Sequence, residues 1–227
     1  MRPRPSHGHP CQDARWRATI WAGHAFEPSH ERSYMTRRLA LAASALCLAA
    51  SPALAHDLAV PGGGFGAGIA HPFLGTDHLL AMLAVGAFAA IEDGRAVWTV
   101  PLAFVLALVA GALLSMGGVH LPLVEPGILA SCVVLGLLLI ASKRLPVALG
   151  MGVVALFGLL HGHAHGLELP VAASPVLYMA GFTGASVILH VVGVGLGATA
   201  KRLPALRLAQ VGGLAIAAFG VVGLVGL

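Results

Sequence analysis

The chain alternates long apolar stretches with short polar breaks. Six of the stretches are nearly free of charge and long enough for an α-helix to cross the ~30 Å hydrocarbon core of a bilayer. The breaks between them carry charged residues together with glycine and proline, which commonly end helices. The pattern predicts an all-α, polytopic membrane helix bundle with about six transmembrane helices. The predicted spans are residues 67–90, 96–116, 124–142, 146–162, 174–199 and 206–226.

Residues 35–55 have the layout of a secretory signal peptide. Two arginines precede an apolar stretch and an Ala-Leu-Ala cleavage motif, so cleavage is predicted before His56. The preceding residues 1–34 are polar and without periodicity, and signal peptides seldom follow such a leader. We therefore expect 1–34 to be a misassigned start or a disordered leader, and 56–227 to form one transmembrane domain.

Composition excludes an ordinary soluble domain. Hydrophobic residues make up 58% of the chain and charged residues 10%, and the mean hydropathy is +0.89, whereas soluble domains carry roughly 25% charged residues. The three cysteines are scattered and form no CxxC pair, so neither a disulfide framework nor a thiolate metal site is predicted. Cys132, within a span, is expected to act as a small apolar residue.

The distribution of charge predicts the topology. In 56–227 six basic and six acidic residues balance, so the basic pI near 9.4 belongs to the N-terminal part and does not indicate nucleic-acid binding. All six basic residues fall in the predicted loops near residues 93, 144 and 203. Positive loops stay in the cytoplasm, which predicts a multi-pass protein of the bacterial inner membrane with a periplasmic mature N-terminus.

The first span contains His71, Asp77 and His78. These side chains are costly in hydrocarbon and are ligands for divalent metal ions. In a continuous helix the two histidines would share a face about 10 Å apart, too far to bind one ion together. Pro72 favours a kink or break at its N-terminal side, and a bent or unwound turn at Pro72 and Gly75 could bring His71 toward the other two. Met82 is a weaker ligand candidate, with core packing as the alternative, and the alternative for Asp77 is a carboxyl that only holds helices together.

A second cluster follows the fourth predicted span, at its outer mouth. Here His161, His163 and His165 alternate with small residues, and Glu168 comes three positions later. In an extended segment the three histidines share one face, whereas in a helix the facing pairs are His161 with His165 and His165 with Glu168. Either geometry offers two converging ligands, and His163 is the weaker candidate.

Three further sites carry less weight. His190 lies within the fifth span, where a neutral histidine bonded across helices is as well supported as a metal ligand. His56 would begin the mature chain, and a terminal amine with an imidazole can bind copper or nickel. His120 and Glu125 are expected to be solvated in an outer loop.

The two histidine clusters together resemble the signature of the HupE/UreJ family. The matching residues are His71-Pro72-x-x-Gly75-x-Asp77-His78-x-x-x-Met82 and His161-Gly162-x-Ala164-His165-Gly166-x-Glu168. The resemblance covers 56–227 and implies a permease for Ni²⁺, or in some members Co²⁺, linked to hydrogenase or urease. It implies a transported ion and no permanently bound cofactor, no enzymatic activity, and maturation proteins of those enzymes as partners.

The residues lead to one mechanism and leave alternatives. The cluster around His161, His165 and Glu168 would capture the ion, and the motif of the first span would then hold it within the bundle. A non-transporting metal-binding accessory protein and an intramembrane metal-dependent hydrolase need similar residues. A haem-binding cytochrome b would need histidine pairs on facing helices, which His71, His78 and His190 could supply.

Overall fold

A computed structural model describes residues 64–141, 144–168, 174–203 and 207–226. The secondary structure of these residues is helical and includes no strand. The leader, the signal peptide and His56 lie outside the described residues. The helices are α1 (Phe65–Leu74), α2 (Thr76–Glu92), α3 (Ala96–Met116), α4 (Val124–Ala141), α5 (Val147–Leu167), α6 (Pro175–Arg202) and α7 (Leu208–Gly226).

The helix lengths confirm the polytopic bundle. Five helices, α3 to α7, are long and apolar enough to cross a membrane, and α1 with α2 makes a sixth span when the bent pair is counted as one. Large apolar side chains cover the outside, among them Trp98 (72% exposed) and Val225 (84% exposed). Apolar surface of this extent is rare on soluble monomers, whereas lipid tails accommodate it.

The first span is broken, as expected, and the break lies at Gly75 and not on the N-terminal side of Pro72. Pro72 lies inside α1, and the chain turns by 84° at Gly75, between α1 and α2. The Gly75 N–H still donates to the His71 carbonyl, at 3.2 Å, so α1 keeps its last turn despite the proline. A proline removes one backbone hydrogen bond, and the helix continues through Pro72 to Leu74 without it.

The fourth predicted span, 146–162, ends five residues too early. Helix α5 continues to Leu167, so His161, His163 and His165 lie within it and are buried. Histidines in an apolar run resemble the end of a span, but here small residues between them let α5 pack closely against α3. A Cβ added at Gly162 would overlap the Leu108 carbonyl oxygen. Of the two geometries considered for this cluster, the structure shows the helical one, and the histidines lie within the helix and not beyond its end.

Close glycine contacts also join α2 to α6. A Cβ at Gly193 would overlap the Leu83 carbonyl oxygen, and one at Gly197 would lie 2.6 Å from the Ala87 carbonyl oxygen. Small residues at this spacing let membrane helices approach until their backbones touch. The contact fixes the relative position of α2 and α6, two of the helices that surround the histidines.

The two ends of the bundle differ in chemistry. At one end, which we call the basic end, the Asp93 carboxylate lies 2.9 Å from Lys201 Nζ and 3.7 Å from Arg144. The Glu92 carboxylate accepts a hydrogen bond from the Leu145 N–H there, at 2.9 Å. The last turns of α1 and α5 and the first turns of α2 and α6 lie at the opposite end, which we call the histidine end.

Candidate metal centre

The break at Gly75 places three of the sequence-predicted residues at the histidine end. His71 lies in the last turn of α1, and Asp77 and His78 lie in the first turn of α2. The backbone of Gly75 is extended (φ −82°, ψ 109°), which any residue can adopt. Space is the constraint instead, because a Cβ at Gly75 would lie 3.0 Å from His78 Nδ1 and 3.2 Å from Asp77 Oδ1.

His71, His165 and Glu168 form the tightest group of candidate ligands. Their ligand atoms all lie within 4.8 Å of one another. Glu168 Oε2 is 3.3 Å from His71 Nε2 and 3.4 Å from His165 Nδ1. The His165 side chain is fully buried, whereas those of His71 and Glu168 are 21% and 28% exposed. The group is therefore open to the histidine end on one side and closed by protein on the other.

The charge of Glu168 is retained in this setting. Burial opposes ionisation, but the contacts with His165 and His71 outweigh it and hold the pKa of this carboxyl below its usual range. Two imidazoles and a carboxylate suit borderline divalent ions such as Ni²⁺, Co²⁺ and Zn²⁺. Glu168 would offset part of the charge of such an ion.

His78 is held by its neighbour Asp77. Oδ1 of Asp77 lies 2.6 Å from His78 Nδ1 and also accepts a hydrogen bond from the His78 backbone N–H, at 2.8 Å. The His78 ring centroid is 4.2 Å from that of His165, 5.0 Å from that of His161 and 6.2 Å from that of His71. The imidazoles of the two sequence clusters therefore form one continuous group.

The structure pairs these residues differently from their order in the sequence. His71 approaches His165 and Glu168, and not Asp77, while His78 approaches both His165 and His161. His161 is fully buried, with its Nδ1 at 2.9 Å from the Phe157 carbonyl oxygen.

The remaining histidine candidates lie elsewhere. His163 is buried but turned to the loop between α3 and α4, where its Nε2 is 2.7 Å from the Val119 carbonyl oxygen and 3.2 Å from the Leu121 nitrogen. His190 is buried beside Phe104, with ring centroids 5.0 Å apart.

The other polar and sulfur candidates also lie outside the group. Met82 is fully buried in the apolar core. His120 is exposed in the loop between α3 and α4, as expected, whereas Glu125 is exposed in the first turn of α4 and not in a loop. Cys132 is buried, and its thiol lies 3.6 Å from the backbone carbonyl oxygen of Asp77, so it packs against the first turn of α2.

Two aromatic residues of α6, which sequence reasoning missed, enclose the group. The Phe182 ring centroid is 3.9 Å from that of His165, and the Tyr178 centroid is 6.0 Å from that of His71. Their spacing of four residues places them on one face of α6. That spacing is visible in the sequence, but it is equally typical of core packing.

The fold and this site define a class: a multi-pass helical membrane protein with a partly buried group of histidines and a carboxylate near one end. A family model described as HupE / UreJ protein matches residues 44–223. Protein HupE of Rhizobium leguminosarum bv. viciae is 42% identical over 182 residues, which cover 80% of this chain and 95% of that protein. The chain belongs to the HupE/UreJ family, which confirms the resemblance carried by the two motifs. No solved structure matches the chain.

Proposed function

We propose that the protein is a permease that takes up Ni²⁺, or Co²⁺, across the bacterial inner membrane for nickel enzymes such as hydrogenase or urease. The observation that supports it best is the group formed by His71, His165 and Glu168, whose ligand atoms lie within 4.8 Å of one another at the end of a broken span. Broken membrane helices recur at the ion sites of transporters. A group that is partly exposed at one end suits capture of an ion from that side.

The distribution of charge supports the direction of transport. Arg144, just before α5, and Lys201, in the last turn of α6, meet around Asp93 at the basic end. Positively charged residues at the ends of membrane helices remain in the cytoplasm. The histidine end then faces the periplasm, in keeping with a signal peptide that is cleaved before His56. In this orientation the ion enters from outside and leaves toward the cytoplasmic enzymes that need it.

The donor set supports transport better than permanent storage. Imidazoles bind metal only in their neutral form, and three protein ligands leave other coordination positions to water, so the ion can be released. The same donor set also suits Fe²⁺, which makes competition between ions part of the test. The sequence contains no Walker A motif, so an ion gradient or a partner would supply the energy.

Uptake of radiolabelled Ni²⁺ into proteoliposomes tests the proposal. Glu168→Gln keeps the shape of the side chain but removes the charged ligand. We expect it to lower the initial uptake rate by more than about tenfold, since loss of even an outer-shell partner typically costs 10- to 100-fold in affinity. His120→Ala removes an exposed loop histidine and is the matched control, with unchanged uptake. Excess Co²⁺, Fe²⁺, Cu²⁺ and Zn²⁺ added separately would define the cargo.

Two results would contradict the proposal. Undiminished uptake by Glu168→Gln would exclude this group as the transport site. Stoichiometric binding of Ni²⁺ by the purified protein without uptake into liposomes would instead indicate a non-transporting accessory protein that passes metal to maturation proteins.

A further inference from the structure

We propose that His78 and His161 form a second, inner metal station through their Nε2 atoms, and that Asp77 is a positioning residue for His78. The identity of the ion rests on the proposed function above. The existence of the station rests on the hydrogen bonds, burial and spacing of these side chains. An ion would pass from the outer group of His71, His165 and Glu168 to this inner pair.

The hydrogen bonds of His78 present its Nε2 for coordination. An ionised carboxylate only accepts hydrogen bonds, so the 2.6 Å contact with Asp77 Oδ1 requires a proton on His78 Nδ1. The neutral ring then carries its lone pair on Nε2. Carboxylate–histidine–metal arrangements of this kind orient the ring and raise the basicity of its ligating nitrogen.

A backbone carbonyl holds His161 in the same tautomer, with the proton on Nδ1. Its Nδ1 lies 2.9 Å from the Phe157 carbonyl oxygen, which is also only an acceptor, so Nδ1 donates and Nε2 keeps the lone pair. Backbone carbonyls serve as outer partners of metal-bound histidines as well as carboxylates do. Two separate elements, the first turn of α2 and the backbone of α5, thus prepare two imidazoles in the same way.

Both prepared nitrogens are buried without a hydrogen-bond partner. Nε2 of His78 and Nε2 of His161 are inaccessible to solvent and make no hydrogen bond among the residues that the structure describes. Buried polar atoms are nearly always paired, and each exception calls for an explanation, such as an ion. A metal ion bound between the rings would satisfy both atoms at once.

The spacing of the rings fits one shared ion. A metal–nitrogen distance of about 2.0–2.1 Å places the ion roughly 3.2 Å from each ring centroid. Two rings on neighbouring coordination positions would then have centroids roughly 4.5–5.2 Å apart. The His78 and His161 centroids are 5.0 Å apart, whereas His71 and His78 are 6.2 Å apart. His71 therefore belongs to the outer group.

The two stations differ in their expected affinity for the ion, and the His165 ring connects them. The outer group has a charged ligand and three donors, while the inner pair has two neutral donors, so the inner ion should bind more weakly. The His165 ring is 4.2 Å from that of His78 and provides the connection. Weaker binding further along the path favours release over retention.

Metal binding by the full-length protein in detergent tests the inner station without relying on transport. Equilibrium dialysis against Ni²⁺ should give two ions per chain, the second weaker. His161→Gln should bind only the tighter ion, with its Kd changed less than about twofold, and should lower uptake into liposomes more than about tenfold. His190→Gln is the matched control, because it makes the same replacement at another buried histidine, which lies beside Phe104 and outside both groups. It should still bind two ions.

A separate pair of measurements, of metal binding and of proton NMR, tests whether Asp77 positions His78. Asp77→Asn keeps an oxygen that can accept from Nδ1 but removes the charge, and we expect about 10- to 100-fold weaker binding of the second ion only. In the Co²⁺-loaded protein, each imidazole bound through Nε2 gives a shifted, exchangeable Nδ1–H proton resonance. Asp77→Asn should move the resonance that His78→Gln removes and leave that of His161 in place. Loss of a ligand, or loss of structure, would not give this pattern.

The outcomes separate the station from the proposed transport. A wild-type stoichiometry of one ion, or two ions retained in His161→Gln, would overturn the station even if uptake is robust. Two ions with the expected losses, but no uptake by the wild type, would overturn transport and leave the station standing. If His161→Gln fails to fold, as judged by size-exclusion elution and helix content, His78→Gln must lose the same ion.

Discussion

Replacing Gly75 by alanine should weaken metal binding while preserving the fold. The backbone at this position suits alanine, so the substitution adds no strain in φ or ψ. The added Cβ would lie 3.0 Å from His78 Nδ1 and 3.2 Å from Asp77 Oδ1, where ordinary contacts begin near 3.4 Å. The methyl group would therefore press on the two atoms that form the 2.6 Å hydrogen bond.

The size of the effect follows from the side-chain torsion. Relief of the contact requires the His78 ring to move by several tenths of an ångström, which takes it away from its preferred rotamer. A side chain turned about 30° from its rotamer costs about 0.5–1.5 kcal/mol, so this smaller displacement costs about 0.5 kcal/mol, the lower end of that range. If the metal-bound state demands the original position, that cost appears as a roughly twofold increase in Kd.

Isothermal titration of the purified protein with Ni²⁺ would measure this change. Gly66→Ala is the matched control, because it lies in α1 and its added Cβ would meet nothing within 4 Å. The control should bind as the wild type does, and both variants should keep the same helix content. Equal affinity for Gly75→Ala and Gly66→Ala would show that the position of the His78 ring does not limit binding.

Two other predictions concern packing and charge. Gly162→Ala should lower the free energy of unfolding by about 1–3 kcal/mol relative to Gly152→Ala in the same helix. Only the Cβ added at Gly162 would overlap a neighbouring backbone. Equal thermal midpoints of the two variants in detergent would refute this. Lys201→Gln should raise the pKa of Asp93, which is lowered chiefly by the hydrogen bond from Lys201, and ¹³C NMR of the carboxyl carbon would show the shift. Any stabilisation by this pair is present at neutral pH and is lost as the pH falls through the lowered native pKa. Arg144→Gln, which removes the 3.7 Å contact, should have the smaller effect.

Hydropathy predicted the spans because the bilayer constrains every helix in the same way. Each crossing needs a similar apolar length, so the helix count does not depend on how the helices pack. The predicted helix ends were wrong where the contacts of individual residues outweighed the mean hydropathy of the segment. His161 is buried beside Phe104 of α3 and His165 beside Phe182 of α6, so both stay in a helix that their polarity alone would end.

The types of candidate ligand were evident from the sequence, but their partners were not. His71 and His78 are seven residues apart, and their separation depends on a single bend at Gly75. The approach of His78 to His161 depends on tertiary packing between helices far apart in the chain. Sequence spacing constrains neighbours within one helix, whereas contacts between helices depend on the whole fold.

The ion pairs at the basic end have a consequence for how the bundle is held together. Asp93 joins the start of α5 and the end of α6 to the end of α2 through exposed contacts. Such contacts weaken as ionic strength rises, since the Debye length is only about 8 Å at physiological salt. The glycine contacts within the bundle carry no charge and are indifferent to salt. At the basic end the helices are therefore held by contacts that weaken as ionic strength rises, whereas the backbone contacts at the glycines do not depend on the ionic composition of the solution.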